Sequence, residues 1–319
     1  MPPKPIVPPR LRPGSRVALL TPSGPVLERD HCARGAELCR ALGYEPVIMP
    51  HAGAVHGYLG GTDAERLADL NQALVDPDID AVWCLRGGNG LNRIVDQVDF
   101  AGFASRPRPV IGYSDVTVLL LALAAETGVV TFHGPMARFE LPEFSRHHFD
   151  LALSGVDAAG RLGRVRPRPD TLVPERGRIV SVVPGRARGR LVGGNLTLLQ
   201  ALIGTRYFPS LDDAILFLED VGEDLYRIDR MFGHLRLAGA LDRVAGVAIG
   251  HFSRMRHVTF EGGLGLDEVL RHYFESRRVP VARGFPIGHV QEQWTLPIGI
   301  QAGLDATAGE LSLLEPAVT

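Results

Sequence analysis

Pro109-Val110-Ile111-Gly112-Tyr113-Ser114-Asp115-Val116 is the stretch on which the reading of this chain turns. A short β-branched run ends at a glycine, and an apolar stretch of helical length, residues 116–125, follows at once. A strand that passes directly into a helix is half of a βαβ unit. A serine on that junction stands at the carboxyl end of the sheet. The helix start below it offers free backbone N–H groups and a positive dipole end. That arrangement suits a nucleophile elbow, in which the amide after the serine helps hold an oxyanion. On the tetrapeptide alone, a serine that only caps a helix is the commoner reading.

The surrounding sequence repeats the pattern. Residues 16–21, 47–49, 81–85, 110–111 and 129–132 read as buried strands, and residues 27–42 as a helix stopped by Gly43. Thr62-Asp63-Ala64-Glu65 is a capping box, after which Ala64, Leu67, Leu70 and Leu74 recur on one helical face. Strands alternating with helices predict an α/β domain over residues 1–155, built on a doubly wound, mostly parallel, flavodoxin-like sheet. From residue 156 to 177 the periodicity fades into Arg, Pro, Asp and Gly, which predicts a linker. Residues 178–319 then predict a second α/β domain with a mixed, barrel-like sheet. Its strands fall at 178–183, 187–192, 214–218, 244–249, 296–301 and 311–314, and its clearest helix at 224–237, with Leu225, Ile228, Phe232 and Leu235 inward.

Composition narrows the function. With 34 basic and 36 acidic residues the net charge is −2, which gives no basic surface for nucleic acid or an anionic membrane. The 3 cysteines, Cys32, Cys39 and Cys84, form no Cys-x-x-Cys pair and read as buried thiols. The Pro-rich start lacks the apolar core of a secretory signal, and the longest apolar run is far short of the ~20 residues a membrane span needs. A cytoplasmic protein without metal or cofactor is expected.

Other segments can carry chemistry. Arg86-Gly87-Gly88-Asn89-Gly90 follows a strand, and its glycines allow a backbone to approach a ligand closely. In a doubly wound sheet this loop and Ser114 should face one crevice. It is neither a phosphate-binding Walker loop nor a dinucleotide fingerprint. The strand at 214–218 ends in Glu219-Asp220, where a carboxylate could orient an imidazole or simply be solvated. Among 11 histidines, His289 in a glycine-flanked loop and His133 at a strand end are the rival bases.

Taken together, Gly87-Gly88-Asn89-Gly90, Gly112-Tyr113-Ser114-Asp115, Thr131-Phe132-His133-Gly134-Pro135 and Gly193-Gly194-Asn195-Leu196-Thr197 resemble the LD-carboxypeptidase family of serine peptidases. The resemblance continues through Leu218-Glu219-Asp220, Tyr226-Arg227-Ile228-Asp229-Arg230-Met231, Gly288-His289 and Thr295-Leu296-Pro297-Ile298-Gly299, all in the family's order. It implies a Ser114–Glu219–His289 triad, with the nucleophile in the first domain and its partners in the second. It also implies an oxyanion hole from the backbone N–H groups of Gly88 and Asp115, and a structural or substrate-side role for His133. The implied reaction is release of terminal D-alanine from murein tetrapeptides during cell-wall recycling, by a protein that is commonly a dimer. Gln293-Trp294 departs from the family, which often has asparagine two residues before Thr295. Arg86 and Arg227 are candidates for binding a free carboxylate, and Trp294 for lining the substrate pocket.

Other functions compete. A microcin-immunity-type peptidase would cleave an acylated aminoacyl-nucleotide and would want an aromatic platform for the base. An α/β-hydrolase would share the order Ser, Glu, His but wants a glycine where Val116 stands. A non-enzymatic peptide-binding protein could use the same glycine-rich crevice.

Overall fold

The computed structural model describes residues 5–28, 30–138, 140–155, 159–165, 177–255 and 263–319. The chain runs through β1 (Arg16–Leu20), α1 (His31–Ala41), β2 (Glu45–Ile48), α2 (Asp63–Val75), β3 (Ala81–Cys84), α3 (Phe100–Ser105) and β4 (Val110–Gly112). It continues through α4 (Thr117–Thr127), β5 (Thr131–His133), α5 (Glu143–Leu153), β6 (Gly160–Arg161), β7 (Val180–Val183), β8 (Arg186–Asn195) and α6 (Leu196–Ala201). The remainder is β9 (Ala214–Val221), α7 (Leu225–Leu237), β10 (Gly246–Ser253), α8 (Leu266–Phe274), β11 (Val281–Arg283), β12 (Leu296–Ile298), β13 (Gln301–Asp305) and β14 (Glu310–Leu313).

Two sheets organise these elements, as the α/β reading expected. The first has the order β12-β5-β4-β3-β1-β2. Its strands β1 to β5 are all parallel, and β2-β1-β3-β4-β5 is the flavodoxin-like order. The second has eight strands in the order β6-β14-β13-β8-β9-β10-β11-β7. Its centre, β8 to β11, is parallel, and antiparallel strands flank it on both sides. Strands β3 and β4 and the body of α4 are wholly apolar and buried, as a parallel sheet covered on both faces requires.

Several expectations shift. The first helix begins at His31, not near residue 27, because residues 22–28 form a loop over the end of β1. The capping box of α2 forms as read, but the buried face is Arg66, Asp69, Leu70, Ala73 and Leu74, with Ala64 exposed. Arg66 turns inward because its guanidinium donates to the Pro22 and Gly90 carbonyls at 2.6 and 3.1 Å. The strand expected at 296–301 is two strands: β12 pairs antiparallel with β5 in the first sheet, and β13 with β8 in the second. Strands β6 and β11 carried no sequence signal. Part of the expected linker, residues 156–158 and 166–176, lies outside the described residues. Cys39 and Cys84 are buried and Cys32 half-buried, all as free thiols. Among the described residues no helix is long and apolar enough to cross a membrane.

The link between β11 and β12 positions the site. It leaves the second sheet at Arg283, carries His289, and enters the first sheet at Leu296. Its two ends are closed on each other by a Trp294 N–H to Pro286 carbonyl bond of 2.7 Å and by Phe285 and Trp294 rings 5.5 Å apart.

Candidate active site

β4 delivers the serine. Tyr113 is extended, with φ of −153°, and Ser114 then turns to φ of +60°. A non-glycine residue with positive φ is held against a steric preference, and such strain clusters at functional turns. Ser114 opens a single turn of 3₁₀-helix, Ser114–Val116, that leads into α4, and no side-chain capping bond precedes that turn. The simple capping role is therefore not the one adopted. The tightness of the turn also explains Gly112, where a Cβ would lie 2.8 Å from Val116 Cγ1.

The glycine loop lies directly against this turn. A Cβ on Gly87 would meet Ser114 Cβ at 2.9 Å, Ser114 Oγ at 3.1 Å and the Asp115 amide nitrogen at 3.3 Å. Only glycine leaves that space open beside the hydroxyl. The Asp115 carboxylate, buried, accepts the Leu91 N–H at 3.0 Å and so ties the serine turn to the loop. Gly24 supports it from behind, its N–H donating to the Gly87 carbonyl at 2.9 Å. This contact falls between β1 and β3, where the strand order reverses and ligands of such sheets bind.

The second sheet brings a carboxylate to the same place. Asn195 at the end of β8 is in register with Glu219 on β9, and its N–H donates to Thr117 Oγ1 at 3.2 Å, which anchors β8 to the start of α4. Gly194 permits that approach, since a Cβ there would lie 2.7 Å from Thr117 Cγ2. Along β9 the neighbouring carboxylates divide the work by strand alternation. Asp220 accepts from Asn195 Nδ2 and from the Thr197 N–H and hydroxyl, which fixes the start of α6. Glu219, wholly buried, has Oε2 2.7 Å from His289 Nδ1.

His289 is held by its ring and by its backbone. Glu219 takes Nδ1, Ser253 donates its hydroxyl to the His289 carbonyl at 3.1 Å, and the Tyr113 ring lies edge-on with centroids 4.8 Å apart. A carboxylate accepting from Nδ1–H fixes the neutral tautomer and leaves Nε2 with its lone pair. Burial pushes the Glu219 pKa up, and the His289 ring beside it offsets part of that rise. The Tyr113 phenol is raised to about 12, first by burial and then by the Glu219 charge.

His133 lies on the other side of Tyr113, ring centroids 6.0 Å apart, and 5.2 Å from Phe217. It is fully buried, and neither ring nitrogen has a hydrogen-bond partner among the described residues. Burial, then the proximity of His289, holds its pKa down to about 3.

The remaining residues singled out from sequence fare differently. Arg86 reaches back to the Pro25 carbonyl at the start of the glycine loop, its pKa lowered by burial. Arg227 is exposed on α7, 3.6 Å from Glu223 and over the Tyr226 ring. Trp294 does not line a pocket: it is 1% exposed and donates Nε1–H to the Gly163 carbonyl at 2.9 Å. It clamps the base of the His289 loop instead. The sequence reading missed Tyr113 as a neighbour of His289, and Arg138, whose charge acts on Tyr113 and which stands beside Arg86. Among the described residues, Glu28, Asp30 and His31 are grouped closely enough to hold a metal ion, but Asp30 pairs with Arg34 at 2.7 Å and Glu28 with His31 at 3.4 Å.

Residues 17–134 match the N-terminal domain of LD-carboxypeptidases, and residues 188–304 match the C-terminal domain. A putative carboxypeptidase of Streptomyces coelicolor is 39% identical, covering 98% of this chain and 97% of its own. A murein tetrapeptide carboxypeptidase of Pseudomonas aeruginosa is 31% identical over 91% of this chain and 93% of its own. Among solved structures, the microcin C7 self-immunity protein in complex with aspartyl sulfamoyl adenosine superposes with a TM-score of 0.89 at 25% identity, covering 99% of this chain and all of that one.

Proposed function

Because this chain belongs to the LD-carboxypeptidase family of peptidases, we propose that it is a serine carboxypeptidase that releases terminal D-alanine from murein tetrapeptides. The observation that carries this reading is the 2.7 Å pair of His289 and a buried Glu219, set against the tyrosine that precedes a strained Ser114.

In this reading His289 Nε2 takes the Ser114 proton as the hydroxyl attacks the carbonyl before D-alanine. Glu219 holds the tautomer and stabilises the imidazolium that forms. The amides of Gly88 and Asp115 receive the oxyanion, each contributing about 2.7–4 kcal/mol of transition-state stabilisation. His289 then protonates the leaving amine, and water attacks the acyl-enzyme by the same route in reverse. No step calls for a metal or cofactor. Residues 1–155 would form the nucleophile domain and 178–319 the domain of acid and base, in a cytoplasmic homodimer serving cell-wall recycling.

The test is mass spectrometry of the protein incubated with murein tetrapeptide, together with fluorophosphonate labelling. Tripeptide formation and labelling that both vanish in Ser114→Ala are expected. Labelling that persists in that variant would remove the serine from the mechanism. The likeness to the microcin immunity protein favours a second reading, cleavage of an acylated aminoacyl-nucleotide. Against it, both tryptophans, Trp83 and Trp294, are buried and unavailable to stack on a base. Turnover of an aminoacyl sulfamoyl adenosine in preference to the tetrapeptide would reverse the choice.

A further inference from the structure

A carboxypeptidase has to distinguish the end of a chain from its middle, and the end differs by a free carboxylate. That carboxylate stands only one amide nitrogen and one Cα beyond the scissile carbonyl, with successive Cα atoms about 3.8 Å apart. Whatever reads it must therefore border the oxyanion site.

Two arginines stand on loops that adjoin the Ser114 turn. Arg86 immediately precedes Gly87 and is fixed by its bond to the Pro25 carbonyl. Arg138 stands on the turn after β5, and that turn is bound to the end of β3: Trp83 Nε1–H donates to the Pro135 carbonyl at 2.7 Å, and the Ala137 N–H to the Cys84 carbonyl at 3.0 Å. The turn after β5 thus crosses the end of β4, and both arginines stand at the carboxyl end of β3, next to the strand that leads to Ser114. Both are half-buried, and the Arg86 charge adds to burial in lowering the Arg138 pKa. Glu28 attracts Arg138 but also pairs with His31. Two guanidinium groups on adjoining loops offer an anion more than one charged donor. A planar carboxylate is the anion that guanidinium forks fit best.

We propose that Arg86 and Arg138 together clamp the terminal carboxylate of the substrate, which makes Arg138 a specificity-determining residue. This deepens, and rests on, the carboxypeptidase reading. The clamp places the last residue on the leaving-group side of Ser114 and rejects internal peptide bonds, whose carbonyl at that position is neutral.

The experiment compares murein tetrapeptide with its C-terminal amide. In Arg138→Gln the free acid should lose on the order of 10–100-fold in kcat/KM, mainly through KM, a loss in the range of a charge-assisted hydrogen bond. The amide, which a clamp cannot hold, should lose far less, and Arg138→Lys should recover part of the preference. Equal losses for acid and amide in Arg138→Gln would overturn the clamp. Calorimetric binding of acid and amide to the Ser114→Ala protein separates this from the triad, because it needs no turnover. Tighter binding of the acid there supports the clamp even if the triad assignment fails, and equal affinities overturn it even if the triad stands.

Discussion

Two histidines face the Tyr113 ring from regions of opposite character. His289 comes from the link between the sheets, where a buried carboxylate, a serine hydroxyl and a partly open edge surround it. His133 ends β5 inside the first sheet, among Tyr113, Phe217 and apolar neighbours, with no polar partner on either nitrogen among the described residues. Both lie against the tyrosine that precedes the serine, so proximity does not separate them. Electrical surroundings do: an imidazole can act as a base only where the cation it becomes is stabilised. Glu219 provides that for His289, and nothing described provides it for His133.

The contrast can be broken most directly by removing each ring. His289→Ala should lower turnover and fluorophosphonate labelling by about 10⁴–10⁶-fold, the range seen when a triad base is deleted. His133→Leu, which roughly keeps the volume, should label at close to the normal rate. The opposite pattern of labelling would exchange the roles of the two histidines.

Glu219→Gln should lower kcat by about 10⁴-fold with the fold intact. Its stability should move the other way. Burial raises the Glu219 pKa, so this group favours the folded state fully below its usual 4.5, and that contribution is lost as pH rises through the raised value. Glutamine carries no charge to bury. Thermal melts should therefore show Glu219→Gln more stable than wild type at about pH 8 and the two converging near about pH 4.

A smaller effect is expected at the hinge of the His289 loop. Gly288 has φ of +99°, and a Cβ there would collide with Glu219 Oε2. Gly288→Ala should push the carboxylate from His289 and reduce kcat by about 10²-fold, with little change in KM. Steady-state kinetics would show the split, and an unchanged kcat would mean that the pair tolerates displacement.

The smallest effect sharpens the contrast through pH. His133 has its pKa held down to about 3 against the usual 6.5, so the unfolded chain takes up the proton first and stability falls as pH drops through that window. His133→Leu should flatten this slope in denaturant titrations, and an unchanged slope would mean that this ring does not set it.

Much of this was legible in the sequence because it rests on local pattern. The strand–Gly–Tyr–Ser–Asp–helix junction, the capping box at Thr62 and the glycine run after β3 each fix their own backbone. Three features were not. Ala64 was placed inward by periodicity, yet the face is turned by Arg66, whose carbonyl partners at Pro22 and Gly90 come from other loops. Closeness in sequence to His289 suggests a pocket role for Trp294, but a large ring that satisfies its N–H internally prefers the core. Residues 296–301 read as one strand because nothing local marks the point where the chain changes sheets. The choice between His133 and His289 likewise depended on long-range partners, which residue type alone does not carry.

That change of sheets has a consequence for the order of synthesis. β12 pairs with β5, so residues made near the end of translation add the edge strand to a sheet whose other strands were made much earlier. Folding on the ribosome proceeds from the N-terminus. The Ser114 turn and the glycine loop can take shape while Glu219 and His289 are still unmade, but His289 is brought to Tyr113 only when β12 docks. The nascent chain therefore carries the Ser114 turn before its proposed base exists, and under the proposed mechanism it would stay inert until β12 has been made.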